Sequence, residues 1–152
     1  MKILFCSNYF THHQQALSDM LYELTDHEYI FLAHKNMDAE RKKLGWGDDT
    51  EREYVRTLKD MQEHEALQNS DVLIAGSFPE DILTGYMEKA RLIFRYSERP
   101  LKDGNPIWKY PVRFIRWHRR NPKGRPIYML CASAFTEGDY SRFGLFRGRC
   151  YK

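Results

Sequence analysis

Four apolar segments of this chain end in the same way, and that shared ending restricts the fold more than any other feature. Lys2-Ile3-Leu4-Phe5-Cys6 runs into Ser7-Asn8-Tyr9-Phe10-Thr11-His12-His13-Gln14 before an amphipathic pattern begins. Asp71-Val72-Leu73-Ile74-Ala75 runs into Gly76-Ser77, Leu92-Ile93-Phe94-Arg95-Tyr96 into Ser97-Glu98-Arg99-Pro100, and Ile127-Tyr128-Met129-Leu130-Cys131 into Ala132-Ser133. Short buried strands that alternate with helical stretches predict an α/β fold of three-layer, Rossmann-like type with a mostly parallel sheet. Open sheets of this kind bind ligands beyond the carboxyl ends of their strands. His13, Ser77, Glu98 and Ser133 each follow such an end, so they are expected along one edge.

The bulk composition fits this reading. A chain of 152 residues, 42% apolar and 30% charged, is globular and long enough for one domain, residues 1–152. The net charge is only +3, but its distribution is uneven. Residues 104–136 contain no Asp or Glu, yet include Lys109, Arg113, Arg116, Arg119, Arg120, Lys123 and Arg125. The three cysteines, Cys6, Cys131 and Cys150, match no zinc-binding spacing, and two of them sit inside apolar strand patterns. Free thiols in a reducing compartment are therefore expected. The opening apolar run is too short for a secretory leader and no run has the ~20 residues of a spanning helix. The expected location is cytoplasmic, at most peripheral on the inner face of a membrane.

Helical periodicity fills the gaps between strands. Ala16, Leu17, Met20, Leu21 and Leu24 predict a buried stripe on a helix after His12. Residues 28–33 read as a second strand, 35–50 as a short helix plus a charged excursion, and 52–55 as a third strand. A polar helix is expected over 58–68, with Leu58, Met61 and Leu67 as its contacts. Pro79 suits the first turn of a helix over 80–90, and a last helix is expected over 134–142, stopped at Gly144. Pro111 opens a further helix, 111–120. At ~100° per residue, Arg113, Arg116, Arg119 and Arg120 fall within an arc of about 120°, with Phe114, Ile115, Trp117 and His118 opposite.

Each candidate motif carries more than one reading. His12 and His13 lie at a strand-to-helix junction, where imidazoles move protons near neutral pH or merely solvate a helix start. Ser97-Glu98-Arg99-Pro100 places a carboxylate beside a guanidinium, suited to holding sugar hydroxyls or to an internal ion pair. Gly76-Ser77-Phe78-Pro79 is a close-approach loop for a ligand or a plain turn. The cationic helix fits a solvated face, an anionic lipid surface or nucleic acid. No glycine-rich turn follows the first strand, so neither a dinucleotide fingerprint nor a P-loop is present. The His residues are scattered, and no metal site is expected.

Three stretches together resemble the amino-terminal half of GT-B glycosyltransferases of the group 1 type. They are Asn8-Tyr9-Phe10-Thr11-His12-His13-Gln14, Tyr96-Ser97-Glu98-Arg99-Pro100, and Met129-Leu130-Cys131-Ala132-Ser133 with the following run to Gly144. The resemblance implies an acceptor-side Rossmann-like domain that faces a carboxy-terminal, donor-binding domain. The chain departs from the pattern in one place: Ser7-Asn8 stands where many members carry Gly-Gly. The resemblance implies His13, then Glu98, as the catalytic acceptor-side groups. Asn8, His12, Ser77, Ser97, Arg99 and Ser133 would contact a sugar or lipid-linked acceptor. Apart from the resemblance, the charge segregation on the wheel leads to the expectation that Arg113, Arg116, Arg119 and Arg120 meet a membrane or another anion. No cofactor is expected on this domain; the nucleotide-sugar donor belongs to the full-length enzyme, and the chain alone is not expected to be active. Its role would be sugar transfer in polysaccharide or glycolipid synthesis. The alternatives are a stand-alone flavodoxin-like binding or regulatory module and a basic nucleic-acid-binding domain.

Overall fold

The computed structural model describes residues 1–24, 26–46, 52–58, 67–101, 107–121 and 124–152. The chain divides into two compact units, Met1–Leu92 and Ile93–Lys152. Every described strand pairing is parallel, and the fold is α/β and Rossmann-like, as the alternating pattern predicts.

In the first unit, β1 (Lys2–Ser7) lies between β2 (Glu28–Ala33) and β4 (Val72–Ala75), and β3 (Val55–Thr57) flanks β2. The register pairs Phe5 with Phe31 on one side and with Ile74 on the other. Residues 4–6 are fully buried, as a strand covered on both faces requires. The order β3-β2-β1-β4 means that the chain steps outward twice and then returns to the far side of β1. The reversal makes the carboxyl ends of β1 and β4 a topological switch point, the position at which such sheets bind ligands.

Helix α1 (His12–Glu23) differs from its expected phase. Ser18 is its buried residue and Leu17 and Leu21 are half-buried, whereas Ala16 is exposed and Met20 and Leu24 are 57% and 74% exposed. The cause is a hydroxyl pair: Tyr29 Oη donates to Ser18 Oγ at 2.9 Å, so a polar residue takes an inward position at no hydrogen-bonding cost. Asp19 follows it and accepts from Tyr54 Oη at 2.6 Å while facing Arg52 at 3.3 Å. That anchoring also displaces the third strand. Residues 52–55 form a turn, with Val55 N bonded to Arg52 O, and pairing begins only at Val55.

Helix α2 (Ala39–Arg41) is capped by Asp38, whose carboxylate accepts from Arg41 N at 2.8 Å, and it continues into a wound turn, Lys42–Trp46. Most of the helix expected over 58–68 lies outside the described residues. Helix α3 (Glu80–Lys89) buries Leu83, Tyr86 and Met87, with Pro79 at its cap position.

In the second unit, the order is β5 (Leu92–Ser97), β6 (Ile127–Cys131) and β7 (Cys150–Tyr151). A single 3₁₀ turn, Ile107–Lys109, leads into α4 (Tyr110–Arg120). The phase of α4 is also rotated from expectation. Its packing side carries Tyr110, Phe114, Trp117 and His118 against Phe143 and Tyr140, and Arg113 is half-buried with its guanidinium on Pro100 O. Ile115, expected inside, is exposed. The last helix, α5 (Thr136–Ser141), is shorter than expected because residues 133–136 form a turn closed by Thr136 N on Ser133 O. Gly144 follows at φ 70°, a conformation that favours glycine.

Two phenols and two thiols have their ionisation suppressed by the fold. Burial pushes the Tyr29 and Tyr54 phenols and the Cys6 thiol well up, and the Cys150 thiol up to about 12. Raised folded-state values mean that the unfolded chain releases these protons first, so stability is complete below the unfolded values and falls above them. The urea midpoint should hold steady to about pH 8.5, where free thiols begin to ionise, and fall progressively through and above pH ~10. Denaturation curves across that range check it; a midpoint that rises with pH contradicts the burial of these groups.

Candidate functional site

The β1/β4 switch point is assembled from the segments that follow β1, β2 and β4 in the first unit. After β1, Ser7 stays buried and its carbonyl accepts from His34 N at 2.9 Å, while Asn8 O accepts from Lys35 N. This prolongs the β1–β2 ladder and fixes the backbone that carries Asn8. Across the switch point, Asn8 Nδ2 donates to Ser77 Oγ at 3.0 Å. Two residues placed here by the sequence, 69 positions apart, are therefore in direct contact. Gly76 makes the approach possible. Its N–H reaches Cys6 O at 2.8 Å, and a Cβ on it would stand 2.9 Å from that oxygen. The close approach that a glycine permits is thus to the neighbouring strand's backbone.

His12 and His13 open α1, exposed, with ring centroids 4.0 Å apart. Thr11 caps the helix through a reciprocal arrangement: Gln14 Oε1 accepts from Thr11 N at 3.1 Å and lies against its hydroxyl. The first turn carries no acid, so the positive helix end and both imidazoles suit an oxygen-rich ligand. Beside them, Arg41 stacks over Tyr9 at 4.9 Å. His34 was not singled out by the sequence. It follows β2, its ring meets Phe78 edge-on at 5.5 Å, and its Nδ1 is buried without a hydrogen-bond partner. The pattern that flagged His13 also applies to His34, which follows Leu32-Ala33 directly. Among the described residues, no three His, Cys, Asp or Glu side chains converge on a metal position.

The second unit gathers its own predicted residues at the ends of β5 and β6. Ser97 Oγ donates to Glu98 O at 2.8 Å and lies 3.1 Å from Tyr140 Oη. Ser133 Oγ meets Thr136 Oγ1 at 3.0 Å, and Ala132 N reaches Ser97 O. Burial raises the Tyr140 phenol, and burial and then Glu98 raise that of Tyr96. The Tyr140 phenol therefore serves as a neutral hydrogen-bonding group to Ser97. Glu98 is exposed. Arg99 places its Nε 3.1 Å from Asp139 Oδ2 and its guanidinium 5.1 Å over the Phe135 ring. Asp139 is buried and also accepts from Leu101 N, so it braces the whole 97–101 loop. Sequence reasoning assigns Asp139 no such role, because its partners lie about 40 positions upstream.

The cationic helix divides. Arg116, Arg119 and Arg120 are exposed, whereas Arg113 is tied to the Pro100 carbonyl. Arg95, buried, donates to Asn121 Oδ1 at 2.9 Å and to Arg120 O at 2.8 Å, which pins the carboxyl end of α4. No described helix is long and apolar enough to cross a membrane.

Comparison with protein-family models gives no match, and no curated protein matches the chain. The class that fold and site define is thus an α/β protein of Rossmann-like type with polar side chains in contact at its β1/β4 switch point.

Two substitutions separate the structural parts of these sites. Gly76→Ala must push β1 and β4 apart at their ends and should cost about 1–3 kcal/mol, read as a lower denaturation midpoint. An unchanged midpoint would contradict the tight approach. Asp139→Ala leaves the Leu101 N–H without its carboxylate acceptor and removes the Arg99–Asp139 ion pair, and should cost about 1–3 kcal/mol. The same measurement checks it, and a loss under about 0.5 kcal/mol, typical of surface positions, would show that the brace is dispensable.

Proposed function

We propose that this chain is the acceptor-side half of a GT-B-type glycosyltransferase, which positions an acceptor hydroxyl for attack on a nucleotide sugar. The observation that carries the reading is the Asn8–Ser77 contact across the β1/β4 switch point, with His12 and His13 on the adjoining helix start. Amide and hydroxyl groups that meet at one switch point suit sugar hydroxyls, which both donate and accept. An imidazole beside them is suited to take the proton that the attacking hydroxyl loses. In this reading His13 is the base, and Asn8 and Ser77 orient the acceptor.

The donor would be held elsewhere. The first strand is followed by Ser7-Asn8 and lacks a glycine-rich phosphate cradle, so the leaving diphosphate needs groups from a carboxy-terminal domain. The acceptor would be a sugar or a lipid-linked sugar, and the process polysaccharide or glycolipid synthesis.

Calorimetry of the chain with uridine- and guanosine-diphosphate sugars should give weak binding or none. Micromolar affinity for any of them would overturn the assignment to the acceptor side. In the full-length protein, His13→Ala should lower turnover by about 10²–10⁴-fold, the usual loss for a general base. Donor affinity should stay the same. Initial rates of nucleotide release measure the first quantity and equilibrium titration the second. Full turnover in the variant would remove His13 from the reaction.

A further inference from the structure

The rotation of α4 leaves an outward face that the sequence wheel does not anticipate. Trp108, Val112 and Ile115 are 73%, 57% and 51% exposed, and they recur at helical spacing along one side. Arg116 and Arg119 share that side and are exposed, and Lys109 lies 5.0 Å over the Trp108 ring. The face therefore has an apolar ridge with an indole at one end and cations along its length. No acid occurs anywhere in residues 104–136 to neutralise them.

We propose that the outward face of α4 and of the 3₁₀ turn before it docks on an anionic lipid surface, with Trp108, Val112 and Ile115 in the headgroup boundary and Lys109, Arg116 and Arg119 on lipid phosphates. The charge is complementary to an anionic leaflet, which attracts juxtaposed Lys and Arg. The ridge decides between lipid and nucleic acid. Phosphate contacts along a nucleic acid need cations only, whereas Val112 and Ile115 gain from an apolar boundary. Tryptophan, with an apolar body and an N–H tip, is favoured at that depth. Arg113 is excluded from the contact because its guanidinium is turned to Pro100. The helix would lie in the interface plane, since its 11 residues cannot span a bilayer. This docking is independent of the reaction proposed above and stands or falls on its own test.

Co-sedimentation with phosphatidylcholine vesicles, with and without phosphatidylglycerol, tests it on the whole chain. The protein should pellet with the anionic vesicles at low salt, be released at high salt, and ignore neutral vesicles. Lys109→Gln, Arg116→Gln and Arg119→Gln together should weaken binding about 100-fold, at roughly fivefold for each cation. Trp108→Ser, Val112→Ser and Ile115→Ser together should also abolish pelleting at low salt. Circular dichroism verifies that each triple variant is folded, and single substitutions replace any that is not. Loss in the cationic variant with wild-type pelleting in the apolar one would mean simple charge adsorption and would overturn the proposal. So would absence of pelleting, or preferential binding to a DNA duplex added in competition.

Discussion

The first unit depends on the burial of β1 between two parallel neighbours. A strand covered on both faces has no access to water, so each of its backbone groups needs a partner from β2 or β4. Satisfying both sides at once fixes two registers, Phe5 with Phe31 and Phe5 with Ile74, and those registers deliver the loops that follow. The arrangement at the β1/β4 switch point is a consequence of this double constraint. Asn8 and Ser77 meet because the strands before them are locked to the same central residues, and Gly76 is glycine because that locking leaves no room for a Cβ.

The strands were legible in the sequence because parallel strands are continuous apolar runs, which is the pattern that survives without any knowledge of neighbours. Helix phase was less legible. On α1, hydropathy prefers Met20 and Leu24 to Ser18, and nothing local reveals that Tyr29 completes the serine's hydrogen bonding. On α4, charge segregation treats Arg113 as a solvated group, but its stem lies on the packing side and only its tip finds a polar partner. The third strand slipped for a related reason, since Arg52 and Tyr54 are drawn to Asp19.

For the candidate sites, position was legible and partnership was not. Asn8, His13, Ser77, Ser97 and Ser133 could be placed after strand ends from their neighbours in sequence. That Ser133 turns to Thr136 and Arg99 to Asp139 depends on residues brought together only by folding. The two units consequently differ in character. In the second, the serines and the arginine have hydrogen bonds within the protein that shape the loop. In the first, the exposed imidazole pair stands at a helix start beside the switch point. His34, with a buried nitrogen lacking a partner, belongs to the same neighbourhood.

The Ser18–Tyr29 hydroxyl pair has a consequence for how such a chain can vary. Each hydroxyl is buried and satisfied by the other, so removing one leaves its partner dehydrated and unbonded, while exchanging both for Ala and Phe leaves nothing unsatisfied. The two positions therefore form a single heritable unit. Sequences on either side of that double exchange can fold equally well, yet the route between them passes through a less stable single substitution. Divergence at position 18 is slowed by position 29, and the pair should change together or stay as it is.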